Sequence, residues 1–103
     1  MTRKNATQFT EELILLVLSR PRSKLHGYGI GLTIEETSQG VVTLPAATLY
    51  QALARMEVKG LICEKGRGKA GSRERIYYGI TRKGRDHLRK MKDFRARLEA
   101  LQF

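Results

Sequence analysis

Thr48, Gln51 and Arg55 lie three and four residues apart, a spacing that sets them on one stripe of a helix. All three side chains can hydrogen-bond outward. A helix about 10–12 Å wide fits the major groove of duplex DNA, so a polar stripe of this kind can read base edges. Downstream, Arg67, Lys69, Arg73 and Arg75 punctuate a segment with Gly66, Gly68 and Gly71. Over residues 64–75 there are five basic and two acidic side chains, which suits contact with phosphate. Each feature taken singly is an ordinary solvated face. Twenty Lys and Arg against ten Asp and Glu, a net charge of +10 on 103 residues, shift the reading toward a polyanionic partner.

Other chemistries find little footing. His26 and His87 are far apart with no second ligand at metal spacing, and Cys63 is the one cysteine, so neither a metal site, a disulfide nor a catalytic dyad is expected. His26 precedes a helix and is expected to cap it or pack, whereas His87, beside Asp86, is expected in solvent. The run from Gly66 to Gly71 matches the dinucleotide-binding fingerprint, but a strand rather than a helix is expected after it, so the pyrophosphate would have no helix terminus to sit on. No cofactor and no enzymatic activity follow from these residues. The longest apolar run, over 13–18, is far short of the ~20 residues a membrane span needs. No cleavage site follows that run, so the expected location is the cytoplasm.

The elements that position these residues can be read in order. A length of 103 residues supports one domain with a single core. Thr10, Glu11 and Glu12 supply a capping oxygen and two carboxylates, so a first helix is expected to start there, although the apolar run alone would also suit a buried strand. Being apolar all round, this helix asks for cover from a second subunit. A second helix is expected over 26–38, closed by Gly40, then a short strand at Val41, Val42 and Thr43. A third begins at Pro45, turns Leu49, Leu53 and Met56 inward, and is closed by Gly60. Two strands, over 61–63 and 75–80, are expected to flank a solvated basic loop over 64–74 rather than a tight turn. Thr81 caps a last helix in which Leu88, Met91, Phe94, Leu98 and Leu101 form a coiled-coil-like seam.

This order is that of a helix-turn-helix with a wing. His26-Gly27-Tyr28, the stretch from Leu44 through Thr48-Leu49-Tyr50 to Leu53, Gly60-Leu61-Ile62, and Tyr77-Tyr78 leading to Thr81 and Gly84 resemble the PadR family of bacterial winged-helix transcriptional regulators. The match spans about residues 13–88. The resemblance implies a homodimeric DNA-binding repressor, usually of efflux, detoxification or stress genes, with terminal helices at the dimer contact. It also implies that Tyr50 and the stripe of the third helix, Ala47 included, face DNA. A small planar or aromatic effector at or near the dimer interface belongs to the same implication. Where the family often has Pro-Gly, this chain has Ala46-Ala47, so operator preference does not transfer.

The expected fold class is therefore mainly α with a small β wing, a winged helix-turn-helix plus a C-terminal dimerisation helix. Residues 1–81 would form the DNA-binding domain and 82–103 the dimerisation helix. In this reading the helix over about 45–59 enters the major groove, where Thr48, Gln51 and Arg55 read bases while Lys24 and Tyr50 fix phosphates. The wing over 64–75 meets the minor groove or backbone of an inverted-repeat operator in double-stranded DNA. Leu13, Leu16, Leu88, Met91, Phe94, Leu98 and Leu101 would form the dimer interface. The rivals are a non-specific nucleic-acid or nucleoid protein, a winged helix that binds protein, and a membrane-surface role through the basic last helix.

Overall fold

A computed structural model of the chain describes residues 3–21 and 23–102; Met1, Thr2, Arg22 and Phe103, and whatever the sequence reading placed on them, lie outside the described residues. The elements are α1 (Arg3–Leu18), β1 (Leu25–His26), α2 (Gly27–Thr37), α3 (Ala46–Val58), β2 (Ile62–Ala70), β3 (Arg73–Ile80) and α4 (Arg82–Glu99). The strands form an antiparallel sheet in the order β1-β3-β2. Four helices with a small sheet make the winged-helix class expected from the sequence. Among the described residues no helix is long and apolar enough to cross a membrane.

α1 departs most from expectation. It begins at Arg3, so Thr10 is no cap; Thr10, Glu11 and Glu12 lie inside the helix and are buried. The helical period explains this, since Glu11 shares a face with Leu15 and Leu18, one and two turns on, which are fully buried together with Ile14. A carboxylate on such a face needs a counter-charge. Glu12, whose side chain is 6% exposed, receives a two-pronged grip from Arg95 of α4, Nε to Oε2 at 2.6 Å and Nη2 to Oε1 at 3.1 Å. Leu88 of α4 is likewise buried in this core.

The later boundaries follow local rules. His26 is the N-cap of α2, its Nδ1 accepting from the Gly29 N–H, and Gly40 and Gly60, both at positive φ, follow the ends of α2 and α3. Thr81 caps α4: its hydroxyl accepts from the Gly84 N–H and donates to the Gly60 carbonyl. Gly84 must lack a side chain, because a Cβ there would stand 2.1 Å from the Leu61 carbonyl oxygen. The segment at Val41, Val42 and Thr43 is not a strand. The Val42 N–H donates to Ser38 Oγ, and Ser38 Oγ donates to the Val42 carbonyl, which folds this stretch onto the end of α2 instead of a ladder. The extra strand is β1, where Leu25 pairs with Tyr78 and His26 with Tyr77.

The basic connection is also a hairpin rather than a loop. Past a register shift between Glu64 and Gly66, β2 and β3 stay paired to Ala70–Arg73, so only Gly71 and Ser72 join them. Glycine content suggested a loop, but Tyr77 lies over the Gly68 position, 3.3 Å from where a Cβ would be, and supplies the cross-strand cover that glycine lacks. The Gly66–Gly71 run is thus a hairpin, and a strand follows it as expected.

The Glu12–Arg95 pair ties α4 to α1, so Arg95→Ala is expected to cost about 1–3 kcal/mol in urea denaturation, Arg95 itself being half in solvent. Adding Glu12→Leu should restore at least half of that loss. A double variant weaker than the single one would mean that something other than Arg95 stabilises the carboxylate.

Candidate nucleic-acid interface

α3 turns Leu49, Ala52, Leu53 and Met56 inward. The row farthest from that face is Ala47, Gln51, Ala54 and Val58, all exposed, with Val58 90% exposed. The outward stripe is therefore displaced from the one expected. Thr48 is exposed at its margin, but Arg55 leaves it. Arg55 Nε donates to Oε2 of Glu11 at 3.3 Å, and Lys59 Nζ donates to both oxygens of the same carboxylate, at 3.0 and 3.2 Å. The sequence reading missed Glu11 in this role; its clue was the continuation of the buried face of α1 back through Glu11.

Tyr50 lies on the opposite margin, half-exposed, with its ring against the start of α2. A Cβ at Gly27 would stand 2.6 Å from Tyr50 Cε1, so a side chain there would displace the Tyr50 ring. Between the starts of α2 and α3 and β3 runs a groove of about 770 Å³ whose lining includes His26, Tyr28, Tyr50, Arg73 and Arg75. Lys24, exposed ahead of β1, is not part of that lining. On the wing, Arg67 bridges Glu64 and Glu74, whose carboxylates raise its already high pKa. Lys24, Lys69 and Arg73 have no ion-pair partner among the described residues.

The apolar residues expected at a dimer contact separate into two groups. Leu88 is 4% exposed and belongs to the protomer's own core, and Leu13 and Met91 are half-buried. Leu16, Phe94, Leu98 and Leu101 are exposed, Leu101 lying beyond the end of α4.

With this geometry in hand, comparison with known proteins is decisive for the family. The sequence matches the model of the transcriptional regulator PadR-like family over residues 14–90. The chain belongs to that family. Family members are transcriptional regulators, not enzymes. A transcriptional regulator from Clostridium thermocellum is similar in structure, with a TM-score of 0.79 and 23% identity over 96% of this chain and 91% of that one. A PadR family regulator from Eggerthella lenta has a TM-score of 0.71 and 28% identity over 92% and 80% of the two chains. Bacillus subtilis PadR in complex with operator DNA has a TM-score of 0.69 and 21% identity; the match covers 81% of this chain and 46% of that longer one. None of the curated proteins matches the sequence.

His26 sits at the joint of α2 and the wing. Gly29 N–H faces Nδ1 and Arg75 Nη1 faces Nε2, each at 3.0 Å, and Tyr77 packs edge-on against the ring. Neutral imidazole has one bare nitrogen for these two donors, and imidazolium has none. Burial first and the Arg75 charge second lower the His26 pKa from 6.5. The unfolded chain binds this proton more readily, so the stabilising contribution is complete above pH 6.5 and is lost as pH falls from there through the lower folded-state value. His26→Asn keeps a capping oxygen without titrating. Urea denaturation between pH 7.5 and 5.5 should show the native protein losing more stability than His26→Asn; equal losses would remove His26 as the source.

Proposed function

We propose that the protein is a dimeric, sequence-specific DNA-binding regulator, acting as a repressor as the family resemblance implies. α3 enters the major groove, where Gln51 and Thr48 hydrogen-bond to base edges and Ala47 lies close against them. The observation that carries this reading is the exposed row of Ala47, Gln51, Ala54 and Val58 on the helix that follows α2. Other groups supply the phosphate contacts: Tyr50 beside the row, Lys24 ahead of β1, and Lys69 and Arg73 of the wing, with Arg67 and Arg75 bracing the hairpin. The wing meets the minor groove or the backbone.

Dimerisation is supported by the uncovered end of α4. Beyond Leu88 and the half-buried Met91, Phe94, Leu98 and Leu101 are each about half-exposed, and Leu16 of α1 adds to the same apolar surplus. A helical end with an apolar stripe is stabilised by packing, and the second copy supplies it. Two-fold symmetry then calls for an inverted repeat with half-sites roughly 34 Å apart, or a multiple. A small aromatic effector fits best at the apolar cleft of about 240 Å³ between α1 and α2, beside Leu13 and Leu16.

Selection of bound duplexes from a random pool gives the operator, and titrations against it and a scrambled duplex test the division of contacts. Gln51→Ala should weaken operator binding by about 1–3 kcal/mol and leave the scrambled duplex nearly unchanged. Lys69→Ala should weaken both alike and reduce the salt slope by about 1. The same loss on both duplexes for Gln51→Ala would remove it from base readout. For the assembly, Leu98→Asp should sediment as a monomer; an unchanged mass would take the α4 seam out of the interface.

A further inference from the structure

We propose that Glu11 sets how weakly this protein holds DNA of any sequence, by withholding Arg55 of α3 and Lys59 at its C-cap from the phosphates. The inference rests on the DNA-binding reading above and concerns two cations that the reading does not use. Both have the reach for DNA, since their side chains are 38% and 52% exposed and they stand on the last turn of α3 and at its C-cap. Both are instead turned to one carboxylate on α1, with Lys59 Nζ bonded to both oxygens and Arg55 Nε to Oε2. The Glu11 side chain is only 5% exposed. Water therefore cannot replace these partners, and a buried carboxylate stripped of them is penalised more than one phosphate contact returns at physiological salt.

The effect on binding follows from what each kind of contact does. Phosphate contacts by Lys and Arg supply nearly all sequence-independent affinity, whereas base edges carry the discrimination. With Arg55 and Lys59 held back, the row that α3 presents is Ala47, Gln51, Ala54 and Val58, which has no charge and gains little from a backbone of arbitrary sequence. Glu11 acts here as a positioning residue: it touches no DNA, and it acts through the two cations it holds.

Titrations of a scrambled duplex and of the selected operator between 50 and 200 mM salt test this with three full-length variants. Glu11→Gln keeps the shape and removes the charge, and it should bind scrambled duplex roughly 5- to 30-fold more tightly at 150 mM salt, with a salt slope steeper by about 1 to 2. Arg55→Gln and Lys59→Gln should each leave the native slope in place, because both side chains are held at the Glu11 carboxylate and away from the phosphates. A slope shallower by about 1 in either of these two would show a phosphate contact and overturn the proposal, as would a folded Glu11→Gln with native slope and affinity. Thermal melts by circular dichroism establish folding. If Glu11→Gln does not fold, the other two variants decide alone. Native protein that binds neither duplex in a salt-dependent way would instead defeat the underlying DNA-binding reading.

Discussion

Two adjacent carboxylates, Glu11 and Glu12, are carried into the interior by α1, and the arrangement of the other helices answers to them. A buried charge without a partner costs several kcal/mol, a large share of what holds a domain of this size together. Each carboxylate recruits cations from a different helix, Glu11 from α3 and Glu12 from α4. Apolar burial is strong but non-directional, whereas a two-pronged arginine grip fixes orientation. The helix that presents the exposed row and the helix that presents the uncovered seam are thus both referenced to one turn of α1.

A second set of contacts makes α3, the wing and α4 one piece. The Thr81 hydroxyl joins the end of α3 to the start of α4, Lys83 Nζ donates to the Lys59 carbonyl, and Gly84 allows α4 to lie on the Leu61 backbone. On the other side, His26 belongs at once to β1, to the cap of α2 and to the contact with Arg75 on β3. The hairpin is therefore held at its base from two directions. Its outer part relies on the Glu64–Arg67–Glu74 bridge and on Tyr77 over Gly68, neither of which requires a core.

The sequence was legible where the determinants are local. The ends of α2 and α3 at glycines in the left-handed region, the Thr81 cap and the His26 cap all involve residues within a few positions of one another. It misled where the partner is remote. Glu11 and Glu12 look like helix-start residues until Lys59 and Arg95, 48 and 83 positions away, are known to reach them. Arg55 shares a helical row with Thr48, and periodicity alone places it outward; what turns it is the Glu11 charge. In the wing, three glycines imitate a loop because glycine propensity ignores an aromatic neighbour on the next strand. Leu88 has the spacing of the seam and the burial of the core, and spacing does not separate the two.

The formal charge of +10 already sets each carboxylate against a cation, and the ion pairs decide where the remaining positive charge is placed. Arg55 and Lys59 share the Glu11 carboxylate, Arg95 holds that of Glu12, Arg67 lies between two glutamates, and Arg75 is turned to His26. Lys24, Lys69 and Arg73 have no ion-pair partner among the described residues, and none of them lies on α3. An opposite pair a few ångströms apart contributes little field at a distance, because the two charges nearly cancel and salt screens the remainder beyond a Debye length of about 8 Å. The row on α3 is itself uncharged, and a duplex has phosphates along the groove walls and neutral base edges on its floor. In the proposed docking, cations outside the row draw the helix to any groove, whereas the uncharged row is stabilised only where donors and acceptors fit. Placing the ion-paired cations on the row would raise affinity for every sequence together and so flatten the differences that a regulator has to resolve.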